Sequence, residues 1–538
     1  MKKYLLSIFT IILPLLTFAQ ETTSEKIDRI FKDYTGWFVD AIFYEIPFSD
    51  EYQIPWVLIV LIGGALFFTI YFKFINFTGF RTSIRVVQGK YEDIEKHGVD
   101  SLYGDQTPGG DVFETIKDES ADGEVSHFQA LTAALSATVG LGNIAGVAVA
   151  LSIGGPGATF WMIIAGLLGM ASKFAECTLG VKYRDVGEDG TVYGGPMYYL
   201  TKGLKEKGMK GFGKVLAVLF AIFVIGGSFG GGNMFQANQA AAQFIKLFDF
   251  ESSNAGMYFG FVMAAIVAVV IIGGIKRIAS VTEKIVPFMA GIYVLAALII
   301  LGANWHLIDD AFGLIFEGAF SGLGIAGGLV GVMIQGIRRG AFSNEAGVGS
   351  AAIAHSAVRT KYPASEGIVA LLEPFVDTVV ICTMTALVIV ITNFDGSFME
   401  YGVPIKEGVE LTATAFDTVI PHFSIVLTIA VILFAFSTMI SWSYYGMQGW
   451  IFLFGKGKIT DLVYKLLFLI FVVVGSSISL GAVIDFSDAM IFAMVVPNII
   501  GVIILSPIIS KELKKYTKAI DLKKEAIQEG AEDLNKHM

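Results

Sequence analysis

VGLGNIAGVAVA, residues 139–150, is the stretch on which the fold turns. Gly140, Gly142 and Ala145 satisfy G-x-G-x-x-G/A, the spacing of a dinucleotide-binding turn. Such a turn needs a strand before it and an acidic residue about 20 positions later for the ribose. Residues 130–137, ALTAALSA, favour helix, and Met162 and Ile163 stand where the acid belongs. The nucleotide reading fails on both counts. Two readings remain: close helix packing through small residues, or a helix broken at mid-membrane. A broken helix survives in hydrocarbon only where its freed backbone lines a cavity or is buried in protein. It presents N–H groups and a positive dipole end to an anion, and carbonyls to a cation.

The rest of the chain supplies the membrane. Of 538 residues 54% are hydrophobic and only 16% charged, with 61 glycines and 44 phenylalanines. Soluble domains run near a quarter charged, and apolar runs of about 20 residues read as bilayer spans. The net charge of −10 comes mostly from acidic loops and leaves no basic stripe for nucleic acid. No H-E-x-x-H, serine elbow or P-loop is present, so an enzyme is not expected. Cys177 and Cys382 lie in apolar runs and read as small buried hydrophobes.

Residues 1–19 have a signal-peptide layout: Lys2 and Lys3, an apolar stretch, then Thr17-Phe18-Ala19 before Gln20. An uncleaved first span is the alternative. A further N-terminal span follows at 54–73, then a polar, Gly/Asp-rich segment at 74–125 that reads as an amphipathic piece plus a flexible insertion. Ten more apolar segments lie near 128–152, 156–181, 213–246, 257–274, 283–303, 326–357, 366–392, 422–450, 461–480 and 484–509. The expectation is an all-α polytopic protein with 11 transmembrane helices in the mature chain and a charged tail helix at 510–538. The loops test this count through the positive-inside bias. Alternate loops carry Lys182, Arg184, Lys202, Lys205, Lys207 and Lys210, then Lys276 and Arg277, Arg359 and Lys361, Lys456 and Lys458, and Lys511, Lys514 and Lys515. Beyond residue 75 the opposite loops carry only Lys406. That places 74–125 and the C-terminus in the cytoplasm and the mature N-terminus outside a bacterial inner membrane.

Residues 128–303 and 326–509 each hold five spans, and each set begins on a glycine-interrupted polar segment: Asn143-Ile-Ala-Gly-Val in one, Asn344-Glu-Ala-Gly-Val in the other. Five is odd, so the halves have opposite orientation. Broken polar helices at matching positions of an inverted repeat point to a transporter's binding site.

Several stretches then resemble a known family. GEVSHFQALTAALSATVGLGNIAGVAVALSIGGPGATFWM (123–162), GMASKFAECTLGVKYR (169–184), GGPMYYL (194–200), GGNMFQANQAA (231–241), RGAFSNEAGVGSAAIAHSA (339–357) and FAFSTMISWSYYG (434–446) are similar to the alanine or glycine:cation symporter family. The resemblance runs from about 54 to 509. It implies the five-plus-five inverted-repeat fold of neurotransmitter:sodium symporters, with Na⁺ as coupling ion, a small neutral amino acid as cargo and no further cofactor. Leu141 stands where the family usually has a threonine, and the signal peptide and the insertion around 100–122 are not typical of it.

Candidate residues follow. Ser437 and Thr438 resemble the sodium site of this fold, with carbonyls near Ala137, Thr138 and Gly140 completing an oxygen shell suited to a hard cation. The alternative is hydroxyls bonded back to their own helix. Gln236 and Asn238 offer amides that can donate to a carboxylate and accept from an ammonium, or can join helices. Thr138, Gly140, Gly142 and Asn143 at the first break, and Thr438 opposite them, join them as substrate contacts. Trp442, four residues after Thr438, shares its helix face and could cap a small pocket. Asn344 reads as structural. Intramembrane charges are functional suspects. Lys173 and Glu176 are expected to pair, and Arg338, Arg339 and Glu345 to pair in an inner gate. Asp377, without a local partner in sequence, is an ion or proton site or bonds a neighbouring helix; the former would make the transporter proton-coupled. The histidines receive no role.

Overall fold

The computed structural model describes residues 23–48, 53–98, 123–188, 190–250, 252, 254–321, 328–403, 408–478 and 480–537. The signal-peptide segment 1–19, the insertion at 100–122 and Lys406 lie outside these residues. Among the described residues, six helices are long and apolar enough to cross a bilayer: Ala158–Lys182, Lys210–Phe248, Gly274–Ala303, Pro363–Thr392, Phe423–Phe454 and Val483–Gln528. His127–Thr138 and Leu141–Gly154 form a further span bent by 55°. Trp56–Tyr71 and Ala255–Ile271 are shorter apolar helices. The chain is a multi-pass membrane protein. Its outward apolar side chains, such as Phe288, Leu295, Leu298 and Ile299 on Gly274–Ala303, suit a hydrocarbon surround.

The polar segment after Trp56–Tyr71 folds into short helices, Ile75–Thr78, Phe80–Val87 and Glu92–His97. The charged tail does not form a separate element: the last span runs on without interruption as Leu480–His537. Among the helices that fall where no span was expected are Ile308–Ser321 and Gly408–Asp417. Both are too short and too mixed in polarity to read as spans. Two-stranded hairpins, Glu45–Pro47 with Gln53–Pro55 and Asp185–Val186 with Val192–Tyr193, close loops.

The bent span begins on a capping box. Ser126 Oγ accepts from the Gln129 N–H, and the Gln129 side chain accepts from the Ser126 N–H. The helix stops at Thr138. Gly140 is extended at φ −139° and ψ −150°, a short 3₁₀ turn covers Leu141–Asn143, and the helix resumes at Ala145. The second glycine-rich segment breaks too. Gly328–Asn344 ends, Glu345 adopts φ +55°, Gly347 and Gly349 have φ +85° and +90°, and a short helix follows at Ala351–His355. Glycine is needed at 347 and 349 because side chains rarely tolerate that backbone.

Small residues let these helices touch. A Cβ on Gly336 would stand 2.3 Å from the Ala158 carbonyl oxygen, one on Gly169 would be 2.7 Å from Ala346 Cβ, and one on Gly180 would be 2.6 Å from the Ala352 oxygen. Helix Ala158–Lys182 is therefore the backbone-close neighbour of both sides of the second break. Lipid tails are as apolar as leucine, so such close packing is a main source of association between spans. Gly336→Ala is expected to cost about 1–3 kcal/mol through overpacking. Thermal unfolding of the detergent-purified protein checks this, and an unchanged melting temperature would contradict the packing.

Candidate functional site

At the first break two freed N–H groups find side-chain acceptors. The Gly140 N–H donates to Asn143 Oδ1 at 2.9 Å, and the Leu141 N–H donates to Gln236 Oε1 at 3.3 Å. The Ile144 carbonyl accepts from Thr412 Oγ1 at 3.2 Å, which gives the unexpected helix Gly408–Asp417 its place. Gln236 follows a π turn at Gly230–Met234 and anchors it by donating to the Gly231 carbonyl at 2.9 Å. Such turns within α-helices are frequent at functional sites.

The second break is held to the first through one carboxylate. Asp377 sits in a second π turn, Phe375–Cys382, and is fully buried. Its Oδ1 accepts from Asn143 Nδ2 at 2.7 Å, while Oδ2 accepts from Ser343 Oγ at 2.8 Å and Thr378 Oγ1 at 2.7 Å. Asn344 bridges Thr378 Oγ1 and the Ala346 N–H, each at 2.9 Å. Asp377 thus has partners on both broken helices and bonds neighbouring elements. Asn143 and Asn344 both secure broken backbone. Cys382 is buried as expected, yet its sulfur lies 3.3 Å from Asn143 Nδ2.

Between the breaks lies a cavity of about 10 Å³ lined by Ala137, Thr138, Gly142, Gln236, Ser343 and Trp442, with Glu345 beside them. That is room for roughly one water, so an amino acid requires side chains to move. The structure therefore brings together residues some 300 positions apart that the sequence nominated. Gly140 faces Thr438: a Cβ there would be 2.5 Å from Thr438 Oγ1 and 3.4 Å from Gln236 Oε1. Thr438 donates to the Ser136 carbonyl at 3.0 Å, Ser441 to the Ala133 carbonyl at 3.0 Å, and Ser136 Oγ to the Ser437 carbonyl at 2.7 Å. These bonds zip helix Phe423–Phe454 to the start of the bent span. Ser437 is not brought to the break through its hydroxyl, which donates to the Phe434 carbonyl at 3.0 Å in its own helix. Asn238 also lies apart, donating to the Gly475 and Ile478 carbonyls as a link between helices. Thr138 lines the cavity while its hydroxyl bonds the Ala134 carbonyl at 3.3 Å.

The charges pair differently from the expectation. Arg338 and Arg339 do not meet Glu345. Both reach the buried carboxylate of Asp488, Arg338 at 2.7 Å, because the helix Leu480–His537 brings that acid alongside. Glu345 instead accepts from Trp442 Nε1 at 2.9 Å and from Ser350 Oγ. Lys173 pairs with Glu373 at 3.1 Å rather than with Glu176, which accepts from Asn498 Nδ2 at 2.7 Å.

Lys173 opens a buried chain that sequence reading missed. From Glu373 it passes to His355, Glu366, His127 and Glu95, where Tyr516 donates to the last carboxylate. Each imidazole meets a carboxylate through both ring nitrogens, an arrangement satisfied by a doubly protonated ring. Lys173 and two such rings balance three carboxylates. Glu366 and Glu373, seven residues apart in one apolar span, were the available signal, since that spacing puts both on one helix face. The Cys177, His355 and Glu373 ligand atoms lie within 4.8 Å of one another. Both His355 nitrogens are engaged and Lys173 supplies positive charge, so these residues do not fit a metal.

A helical multi-pass protein with two broken helices closing on a small polar cavity is built as a transporter. A solved structure, MhsT in complex with L-phenylalanine, aligns with a TM-score of 0.50 over 74% of this chain and 99% of that one, at 14% identity; it is a transporter of the neurotransmitter:sodium symporter fold, and the likeness concerns the fold alone. The model of the sodium:alanine symporter family matches residues 110–530, and the chain belongs to that family. The sodium/alanine symporter AgcS of Methanococcus maripaludis is 39% identical over 468 residues, covering 86% of this chain and 94% of that protein. The amino-acid carrier protein AlsT of Bacillus subtilis is 34% identical over 485 residues, covering 88% and 92%.

Removing one partner from a buried ionic cluster strands the others. His355→Ala is expected to destabilise the protein by about 3–5 kcal/mol. Thermal unfolding in detergent measures it, and a wild-type melting temperature would show that the chain bears no load.

Proposed function

We propose that this protein is a sodium-coupled symporter that imports small neutral amino acids, alanine or glycine foremost with D-alanine and serine as further candidates, by alternating access. The observation that carries the reading is the convergence of Gln236, Trp442, Thr138 and both broken helices on one cavity. Helix ends there offer N–H groups to a carboxylate and carbonyls to a cation. The names of the relatives AgcS and AlsT support amino-acid cargo, and the former supports sodium.

In this reading the cation lies between Thr438 and carbonyls of Ala137, Thr138 and Gly140, and Ser437 joins only when its hydroxyl turns from the Phe434 carbonyl it bonds here. The substrate contacts Gly140, Gly142, Asn143, Gln236 and Trp442, while Arg338, Arg339, Glu345 and Asp377 hold the surrounding frame. Eleven spans make up the mature chain: one extra N-terminal helix at 54–73 and inverted repeats at 128–303 and 326–509. The C-terminus is cytoplasmic and the mature N-terminus periplasmic, in a bacterial inner membrane. The sodium gradient drives uptake, with about 2.3 kcal/mol per charge per 100 mV from the membrane potential. A proton-coupled alternative would need Asp377 to titrate. Protonation there would weaken the charge-assisted bonds from Asn143 and Ser343 that join the two breaks.

The experiment is labelled L-alanine uptake into proteoliposomes under inward Na⁺, K⁺ or H⁺ gradients. Concentrative uptake with Na⁺ alone is expected, and uptake driven by H⁺ alone would overturn the coupling. Gln236→Ala is expected to raise the KM for alanine about tenfold or more, the loss of one buried polar contact; a wild-type KM would remove Gln236 from the site. Thr438→Ala is expected to raise the half-saturating Na⁺ concentration by a similar factor, and an unchanged sodium response would place the ion elsewhere.

A further inference from the structure

We propose that Glu345 is the positioning residue that clamps Trp442 over the cavity and thereby sets the largest side chain the transporter accepts. The inference rests on the amino-acid transport reading above and goes beyond it by assigning the size filter to a bond between two helices.

Four observations converge. First, Glu345 is a non-glycine residue at φ +55°, in the second break, where Gly347 and Gly349 take the neighbouring left-handed positions. Such backbone is costly for a residue with a Cβ, and outliers of this kind cluster at functional sites. Second, the strain aims a buried carboxylate with two fixed partners: Oε1 accepts from Trp442 Nε1 at 2.9 Å and Oε2 from Ser350 Oγ. The indole N–H is the only polar atom of tryptophan, and it is a donor. One bond therefore determines which way the ring faces. Third, the carboxylate feels the charge of Lys173 but forms no ion pair with a cation among the described residues. The arginines on its own helix go to Asp488, and Lys173 is paired with Glu373 at 3.1 Å. Fourth, the ring held by this bond is a wall of the cavity. A Cβ on Gly232 would fall 2.2 Å from Trp442 Cγ, and one on Gly227 would be 3.2 Å from its Cζ3. Tyr445 backs it edge-on at 5.4 Å between ring centroids. The bare glycines of the π turn at Gly230–Met234 thus leave room for the base of the Trp442 side chain, and the cavity beside it is about 10 Å³.

Any substrate must shift this wall, and the distance it can retreat depends on the clamp. With the acceptor removed, the indole loses its polar anchor and is held by packing alone, so a longer side chain displaces it more easily. The clamp also joins the second broken helix to Phe423–Phe454, the helix that carries Thr438, so the size filter and the ion candidate sit on one helix that contacts both breaks.

The test is sodium-driven uptake of labelled alanine and leucine by the full-length protein in proteoliposomes, comparing wild type, Glu345→Gln, Glu345→Leu and Ser350→Ala. Glu345→Gln keeps an acceptor oxygen and is expected to hold the alanine-over-leucine preference in kcat/KM within about threefold of wild type. Glu345→Leu is expected to lower that preference about tenfold or more, the scale on which pockets discriminate by side-chain size. The change in preference should fall mainly in the KM for leucine. Ser350→Ala loosens the carboxylate without touching the indole and is expected to give an intermediate loss, which carries the test should Glu345→Leu fail to fold. Wild-type preference in both Glu345→Leu and Ser350→Ala would overturn the clamp, as would Glu345→Gln behaving like Glu345→Leu. A wild-type protein that takes up neither amino acid would instead overturn the transport reading on which the clamp depends.

Discussion

Hydrocarbon offers no partner to a backbone N–H or C=O, so a helix broken inside a bilayer must bring its own. The polar residues around residues 139–144 answer that demand. Asn143 takes the Gly140 N–H, Gln236 takes the Leu141 N–H, and Thr412 gives its hydroxyl to the Ile144 carbonyl. The second break is served by Asn344 on the Ala346 N–H and by Asn498 on the Gly347 carbonyl. Asp377 joins the two, since Asn143 and Ser343 donate to opposite oxygens of one carboxylate. The breaks are therefore a single polar unit, and the cavity between them exists because that unit keeps both chains unwound side by side.

A second polar unit lies behind it. Lys173, Glu373, His355, Glu366 and His127 tie the bent span, its successor Ala158–Lys182, the end of the second break and helix Pro363–Thr392 together. Glu95 and Tyr516 extend the contact to the short polar helices and the long last helix. Backbone-close glycine packing along Ala158–Lys182 reinforces the same grouping. The helices that carry the breaks are thus bound to one another by buried charge and by close contact, while the contact with Phe423–Phe454 rests on a few hydroxyl bonds and the Glu345–Trp442 bond. In the proposed alternating access one bundle rocks against another around the site, and the hydroxyl bonds to Phe423–Phe454 mark the seam such a motion would cross.

Much of this was legible in the sequence because it is written locally. Gly140 and Gly142 inside an apolar run, and Asn344 through Gly349 inside another, announce broken spans without reference to anything distant. Gln236 after three glycines and Trp442 one turn past Thr438 were likewise readable, and the structure brings Gln236 and Trp442 to the same cavity. What could not be read was pairing. Asp377 looked solitary although adjacent Thr378 donates to it, and its partner on the first break, Asn143, is 234 positions away; Arg338 looked complementary to nearby Glu345 because Asp488 is 150 positions away. Of the imidazole chain only the spacing of Glu366 and Glu373 was legible, since His127 and Glu366 are separated by 239 positions. Proximity in sequence is a poor guide to charge pairing in a helical bundle, where the neighbours of a buried residue lie mostly on other helices. Ile308–Ser321 and Gly408–Asp417 escaped for a different reason: neither is long enough to span, and the second earns its position by covering the first break.

The central claim is that the polar unit formed by the two breaks is where cargo and ion meet. A structure of the protein determined with Na⁺ and L-alanine tests it most directly. The account predicts density for the amino acid between Gly142, Gln236, Ser343 and Trp442, with a cation-sized peak against Thr438 and the carbonyls of the first break. Well-defined density for alanine elsewhere, with the space between the breaks still closed to all but a single water, would contradict it.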